Sequence, residues 1–186
     1  MSKITIGDNI NIGYVVQNQQ DVESKSVGIE NIVKNVITKY SSDLDFIVSE
    51  IDAKIKEQEI DGFSDQEIES YCLKLSSFMY FAAAGQELIG LREAIANALN
   101  KEEYNKFYAT ATGTIADKKA SAELESQSSM LVNLIYDRAE KMMESKLTYA
   151  THLLGSLKRI LNRRIEQMKM NPSTVKFTDD TRGGIV

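Results

Sequence analysis

The sequence predicts an all-α protein, an elongated helical bundle or coiled coil, and three observations carry that prediction. The only proline among the 186 residues is Pro172, so 171 residues precede any obligatory helix breaker. Apolar residues recur at spacings of three and four through most of that length. Thr114 to Met170 keeps the same beat over 57 residues, which at about 1.5 Å per residue gives one very long C-terminal helix of roughly 80 Å. Such a helix is not stable alone in water, because helical stability comes mainly from packing an apolar stripe on something else. Pairing with the preceding helices or with another copy of the chain is therefore expected.

Residues 1–27 differ from the rest. Ile4 and Ile6, then Ile10, Ile12, Tyr14 and Val16, alternate with period two around Gly7-Asp8-Asn9, which predicts a short N-terminal β-hairpin arm. A lone two-stranded hairpin is marginal in water, so the arm must pack on the bundle or on a neighbour. Gln17 to Ser26 reads as a polar linker. A helical stripe through Ile29, Ile32, Val33, Val36, Ile37, Tyr40, Leu44, Ile47, Val48, Ile51 and Ile55 then predicts a first helix over about residues 28–58.

Asp61-Gly62-Phe63 breaks that helix, and Ser64 with Glu67 has capping-box spacing, so a second helix starts there. Its stripe runs Ile68, Tyr71, Cys72, Leu75, Phe78, Met79 and Ala82, then Leu88, Leu91, Ile95 and Leu99. Small residues at Ala82 to Gly85 and at Gly90 point to close helix packing, since a glycine inside a helix costs about 1 kcal/mol relative to alanine. Asn100 is a place where the helix can loosen, and Glu102 to Ala111, with Tyr104, Phe107 and Tyr108, either continues it or forms a short separate helix. Gly113 supplies a stop, and Thr114 with Asp117 supplies a new N-cap for the final helix. In that helix Leu147, Ala150, Leu154, Leu157, Leu161, Ile165 and Met168 approach a heptad seam. Three parts follow: the arm 1–27, a helical domain 28–170, and a flexible tail 171–186 in which Val175 and Phe177 could anchor on another subunit.

Composition narrows the function classes. Lone Cys72 forms no internal disulfide and there is no Cys/His cluster of zinc-site spacing, which suits a reducing cytosol. No apolar run is long enough for a membrane span, and Met1 to Gly7 lacks a signal-peptide core. A soluble cytoplasmic protein is expected. The only histidine, His152, has no nucleophile that spacing places beside it, and there is no EF-hand spacing, phosphate loop or nucleophile elbow. An enzyme is not expected, and no cofactor or metal is implied.

The charge is polar in its distribution, with a net value of −5. From Asp43 to Glu69 ten acidic residues stand against Lys54 and Lys56, whereas from Lys158 to Lys169 five basic residues stand against Glu166. At 100° per residue Lys158, Arg159, Arg163 and Lys169 share an arc of about 140° outside the seam. With Arg164 they form a stripe suited to neutralising phosphates and releasing counterions. The same cations also complement the helix macrodipole and can pair with the acidic first helix, and both readings stand. A second group lies at the Gly113 turn, where Lys101, Lys106, Lys118 and Lys119 surround Tyr104, Phe107 and Tyr108. Lysines interleaved with aromatics are what single-strand binding uses, although core packing also accounts for the aromatics.

The order of a helix, then Tyr104-Asn105-Lys106-Phe107-Tyr108-Ala109-Thr110-Ala111-Thr112-Gly113, then a long helix ending Ser156-Leu157-Lys158-Arg159-Ile160-Leu161-Asn162-Arg163-Arg164-Ile165, resembles the bacteriophage recombination mediator (UvsY-like) family over about residues 65–170. The resemblance implies a small helical protein that assembles into homo-oligomeric rings, binds single-stranded DNA and helps load a RecA-type recombinase where single-strand-binding protein blocks it. It also implies work in a bacterial host's cytoplasm. Family members use basic residues before an aromatic pair and a glycine in DNA binding, and Lys101 and Lys106 are the matching positions here. The chain departs from the family in its acidity, its length, its hairpin arm and its tail. Two other readings remain: an assembly protein of a virion or other large complex without nucleic-acid binding, and a helical adaptor in phage–host defence or counter-defence.

Overall fold

The computed structural model describes residues 12–58 and 62–170, and among these every regular element is an α-helix. They are α1 (Ile12–Gln58), α2 (Asp65–Thr110), α3 (Ile115–Glu125) and α4 (Gln127–Met170). The chain divides into two compact units, one drawn from Met1–Ser42 and Phe81–Lys146, the other from Asp43–Tyr80 and Leu147–Val186. Each of the three long helices thus contributes a segment to both.

Two expectations need correction. The first helix begins at Ile12, not near residue 28, so Gln17 to Ser26 is helix and not linker. Gln, Glu and Lys are good helix formers, and no proline interrupts them. The hairpin's first strand and turn, like the tail 171–186, lie outside the described residues. Second, the final helix is not continuous from Thr114 to Met170 but ends as α3 at Glu125 and resumes as α4 at Gln127. At the junction Ser126 has φ −89° and ψ 6°, off the helical minimum, and is buried. The Ser129 hydroxyl lies 2.9 Å from the Ser126 carbonyl and 3.1 Å from the Asn100 side-chain oxygen. Backbone i→i−4 bonds still run through the joint, from the Ser126 N–H to the Ala122 carbonyl and from the Met130 N–H to the Ser126 carbonyl, each at 3.0 Å, so the departure is confined to one residue. Past Asn100 the continuous alternative holds, and α2 runs unbroken to Thr110.

In the second unit the core comes from Leu44, Ile47 and Ile51 of α1, Ile68 and Leu75 of α2, and Ala150 and Leu157 of α4. The α1–α2 corner is fastened by polar contacts around Lys54. The Ser64 N–H donates to Glu67 Oε2 at 2.8 Å and the Glu67 N–H donates to Ser64 Oγ at 3.2 Å, the two halves of the expected capping box. The Lys54 ammonium pairs with Glu67 and lies over the rings of Phe63 and Tyr71, at 5.4 and 5.9 Å from their centroids. Those rings meet edge to face at 6.0 Å, and the Tyr71 hydroxyl donates to Glu50 at 3.1 Å.

In the first unit Val33 and Ile37 of α1, Ala82, Ile89 and Ala96 of α2, Ala122 of α3, and Ala139 and Met143 of α4 are buried. Alanine recurs because the backbones come close. At Gly85 a Cβ would fall 2.4 Å from the Tyr40 Cβ, so this glycine admits α1 against α2, in agreement with the close packing expected of the Ala82 to Gly85 run. The single stripe expected on α2 resolves into two. Ile68, Leu75, Ala82, Ile89 and Ala96 repeat every seven residues and face inward, whereas Leu88, Leu91, Ile95 and Leu99 lie about 130° away at 100° per residue and are exposed.

Candidate nucleic-acid interface

The basic stripe lies on the last turns of α4. Its apolar seam fades as the helix proceeds: Ala150 and Leu157 are buried, Leu154 and Leu161 half-buried, Ile165 and Met168 exposed. Lys158, Arg159 and Arg163 therefore ride on a helix end that is packed along one side only. All three are exposed, and among the described residues no carboxylate lies within ion-pair distance of them. Arg159 folds onto its own helix, its Nε donating to the Gly155 carbonyl at 3.3 Å.

Arg164 departs from the expected stripe. Its Nη1 donates to the Phe63 carbonyl at 2.6 Å and to Asp65 Oδ1 at 3.0 Å, and its side chain is only 18% exposed. One heptad offset from Leu157 turns it inward, to the start of α2, where it serves the α1–α2 corner. The acidic segment thus takes one cation of the five, Arg164. A second contact from α4 to that segment is neutral: the Tyr149 hydroxyl donates to Asp52 at 3.2 Å.

The other lysines gather in the first unit about the α2–α3 turn. Gly113 has φ +106°, a left-handed conformation that favours glycine and ends the run from α2. The Thr114 N–H donates to Asp117 Oδ2 at 2.9 Å and the Asp117 N–H donates to Thr114 Oγ1 at 3.3 Å, which starts α3 as the spacing predicts. The Thr114 hydroxyl and N–H hold the Asp117 carboxyl below its ordinary range. Tyr104 and Tyr108, one turn apart on α2, stack with centroids 6.3 Å apart and planes 15° from parallel, and with Phe107 they are half-buried.

Lys101 and Tyr104 line a cleft of about 420 Å³ with Asn100, Asn105, Glu123, Ser126 and Met130. Tyr108, Lys106, Lys118 and Lys119 are not in its wall. Between Asn100 and Glu125 four lysines stand against five acidic residues, so this group is not a cationic patch. The structure places it in the first unit and Lys158, Arg159, Arg163 and Arg164 in the second. The α4 stripe is consequently the stronger polyanion candidate, and the turn offers aromatic faces and scattered ammonium groups.

Elsewhere the chemistry is sparse. His152 is exposed, and burial pushes the half-buried Cys72 thiol above its ordinary range while nearby Lys158 partly opposes the shift. Among the described residues no group of His, Cys, Asp and Glu is arranged to hold a metal ion, and no helix is long and apolar enough to cross a membrane. The exposed α2 stripe is a surface that the sequence reading merged into the core; its phase on the helix was the signal that separates it. No protein-family model matches this sequence, and no curated protein or solved structure matches it.

Proposed function

We propose that this chain is an oligomeric single-stranded-DNA-binding recombination mediator that assists loading of a RecA-type recombinase. The observation that carries the reading is the row of Lys158, Arg159 and Arg163, exposed on the end of α4 with no carboxylate at ion-pair distance among the described residues. The element order and the residues around Gly113 that resemble the mediator family support it further. Three exposed cations on one arc bind a phosphate backbone weakly and without sequence preference. Several copies in one oligomer turn weak sites into a strong one, since each later contact is intramolecular. Stacked Tyr104 and Tyr108 offer ring surface to unpaired bases.

Fluorescence anisotropy of a labelled oligothymidine tests this. Affinity is expected to fall with salt, with a log–log slope of about −2 for three neutralised phosphates on a single strand. Replacing Lys158, Arg159 and Arg163 together by alanine is expected to abolish both the binding and the slope. Absence of binding by tens of micromolar protein at about 50 mM salt rejects the reading. A second reading, an assembly protein held together by helix pairing, is favoured by one specific observation, the exposed apolar stripe on α2.

A further inference from the structure

The α2 stripe is unlike a scatter of surface aliphatics. Leu88, Leu91, Ile95 and Leu99 are 48%, 58%, 52% and 53% exposed, recur at threes and fours, and fall within about 80° of one another at 100° per residue. They sit on a helix whose other apolar face, Ala82, Ile89 and Ala96, is already buried within the same unit. A helix apolar on two sides belongs inside a larger assembly than one chain supplies. Spacing of this kind is a coiled-coil seam, with Leu88 and Ile95 at one heptad position and Leu91 at the other.

The charges at its edges identify the occupant. Glu87 borders the seam on one side and Arg92 on the other; both are exposed, and neither has an ion-pair partner among the described residues. In a parallel, in-register coiled coil the residue just before one core position lies against the residue five further along the partner helix. Glu87 of each copy then meets Arg92 of the other, twice by symmetry. An antiparallel crossing sets each flank against its own kind and loses both pairs. We propose that residues 87–99 of α2 form a parallel, two-stranded interface with a second copy of this chain, with Leu88, Leu91 and Ile95 as its seam, Leu99 flanking it, and Glu87–Arg92 as the orienting pair.

This interface rests on α2 alone and stands whether or not the chain binds DNA; it would supply the multivalency that the proposed function requires. Light scattering of the full chain without DNA, over a range of concentrations, tests it. The wild type is expected to self-associate. Leu88→Glu with Ile95→Glu, both at exposed positions, is expected to lower the mass while leaving the helical circular dichroism unchanged. Glu87→Arg and Arg92→Glu are each expected to weaken association several-fold, and the two together to restore it, a result that loss of folding does not imitate. In a Cys72→Ser background, Leu91→Cys is expected to oxidise to a covalent dimer, because in this register position 91 faces its own copy. A chain that is monomeric at tens of micromolar, a double Glu variant of wild-type mass, a charge exchange without recovery, or a Leu91→Cys chain that does not cross-link each overturns the proposal.

Discussion

Arg164 binds the Asp65 carboxylate at 3.0 Å, joining the end of α4 to the start of α2 across 99 residues of sequence. The same Nη1 takes the Phe63 carbonyl at 2.6 Å, so one guanidinium satisfies both the backbone of the α1–α2 corner and the first residue of α2. Among the cations at the end of α4 this one is structural, whereas Lys158, Arg159 and Arg163 are exposed and have no carboxylate at ion-pair distance among the described residues.

That division predicts opposite outcomes for neighbouring substitutions. Arg164→Ala is expected to cost about 1–3 kcal/mol of stability, as loss of charge-assisted hydrogen bonds at a half-buried site does, read from urea midpoints. Its effect on oligothymidine affinity is expected to be small beside that of Arg163→Ala, at an exposed position without an ion pair among the described residues, which is expected to change stability by no more than about 0.5 kcal/mol.

Two helical glycines are expected to respond with opposite signs. At Gly85 an added methyl meets Tyr40 Cβ at 2.4 Å, so Gly85→Ala is expected to destabilise by about 1–3 kcal/mol through overpacking, despite alanine's better helix propensity. At Gly155 nothing lies within 4 Å of the added atom, and Gly155→Ala is expected to stabilise by up to about 1 kcal/mol. Thermal melts of the two variants decide this, and melting shifts of the same sign would contradict the close approach of Tyr40.

Glu67 carries an acid dependence. The Lys54 ammonium first, and the Ser64 N–H and hydroxyl after it, pull its carboxyl from an ordinary 4.5 down to about 2. Since the folded value lies below the unfolded one, the contribution is fully present above about pH 4.5 and is lost as the pH falls toward 2. Urea midpoints at pH 7 and pH 3 are expected to drop more for the wild type than for Glu67→Gln, which starts lower and has less to lose. An equal drop in both would show that the corner does not hold the ionised carboxylate.

Local chemistry was legible from the chain because it depends on residues a few positions apart. The Ser64/Glu67 box, the Gly113 stop and the Thr114/Asp117 cap each sit where their spacing puts them, since a hydroxyl or carboxylate three residues away reaches the free N–H groups whatever the fold does. Helical periodicity likewise fixed the all-α class, there being no proline before residue 172 to interrupt it. Tertiary structure decided what lies beyond a turn's reach. It turned the backbone off the helical minimum at the buried Ser126, and it separated the inward and outward stripes of α2. It also chose Arg164, and not Arg163, for Asp65. Periodicity records that a face is apolar or charged; which partner stands opposite depends on packing between segments about a hundred residues apart, and that information is in no local window.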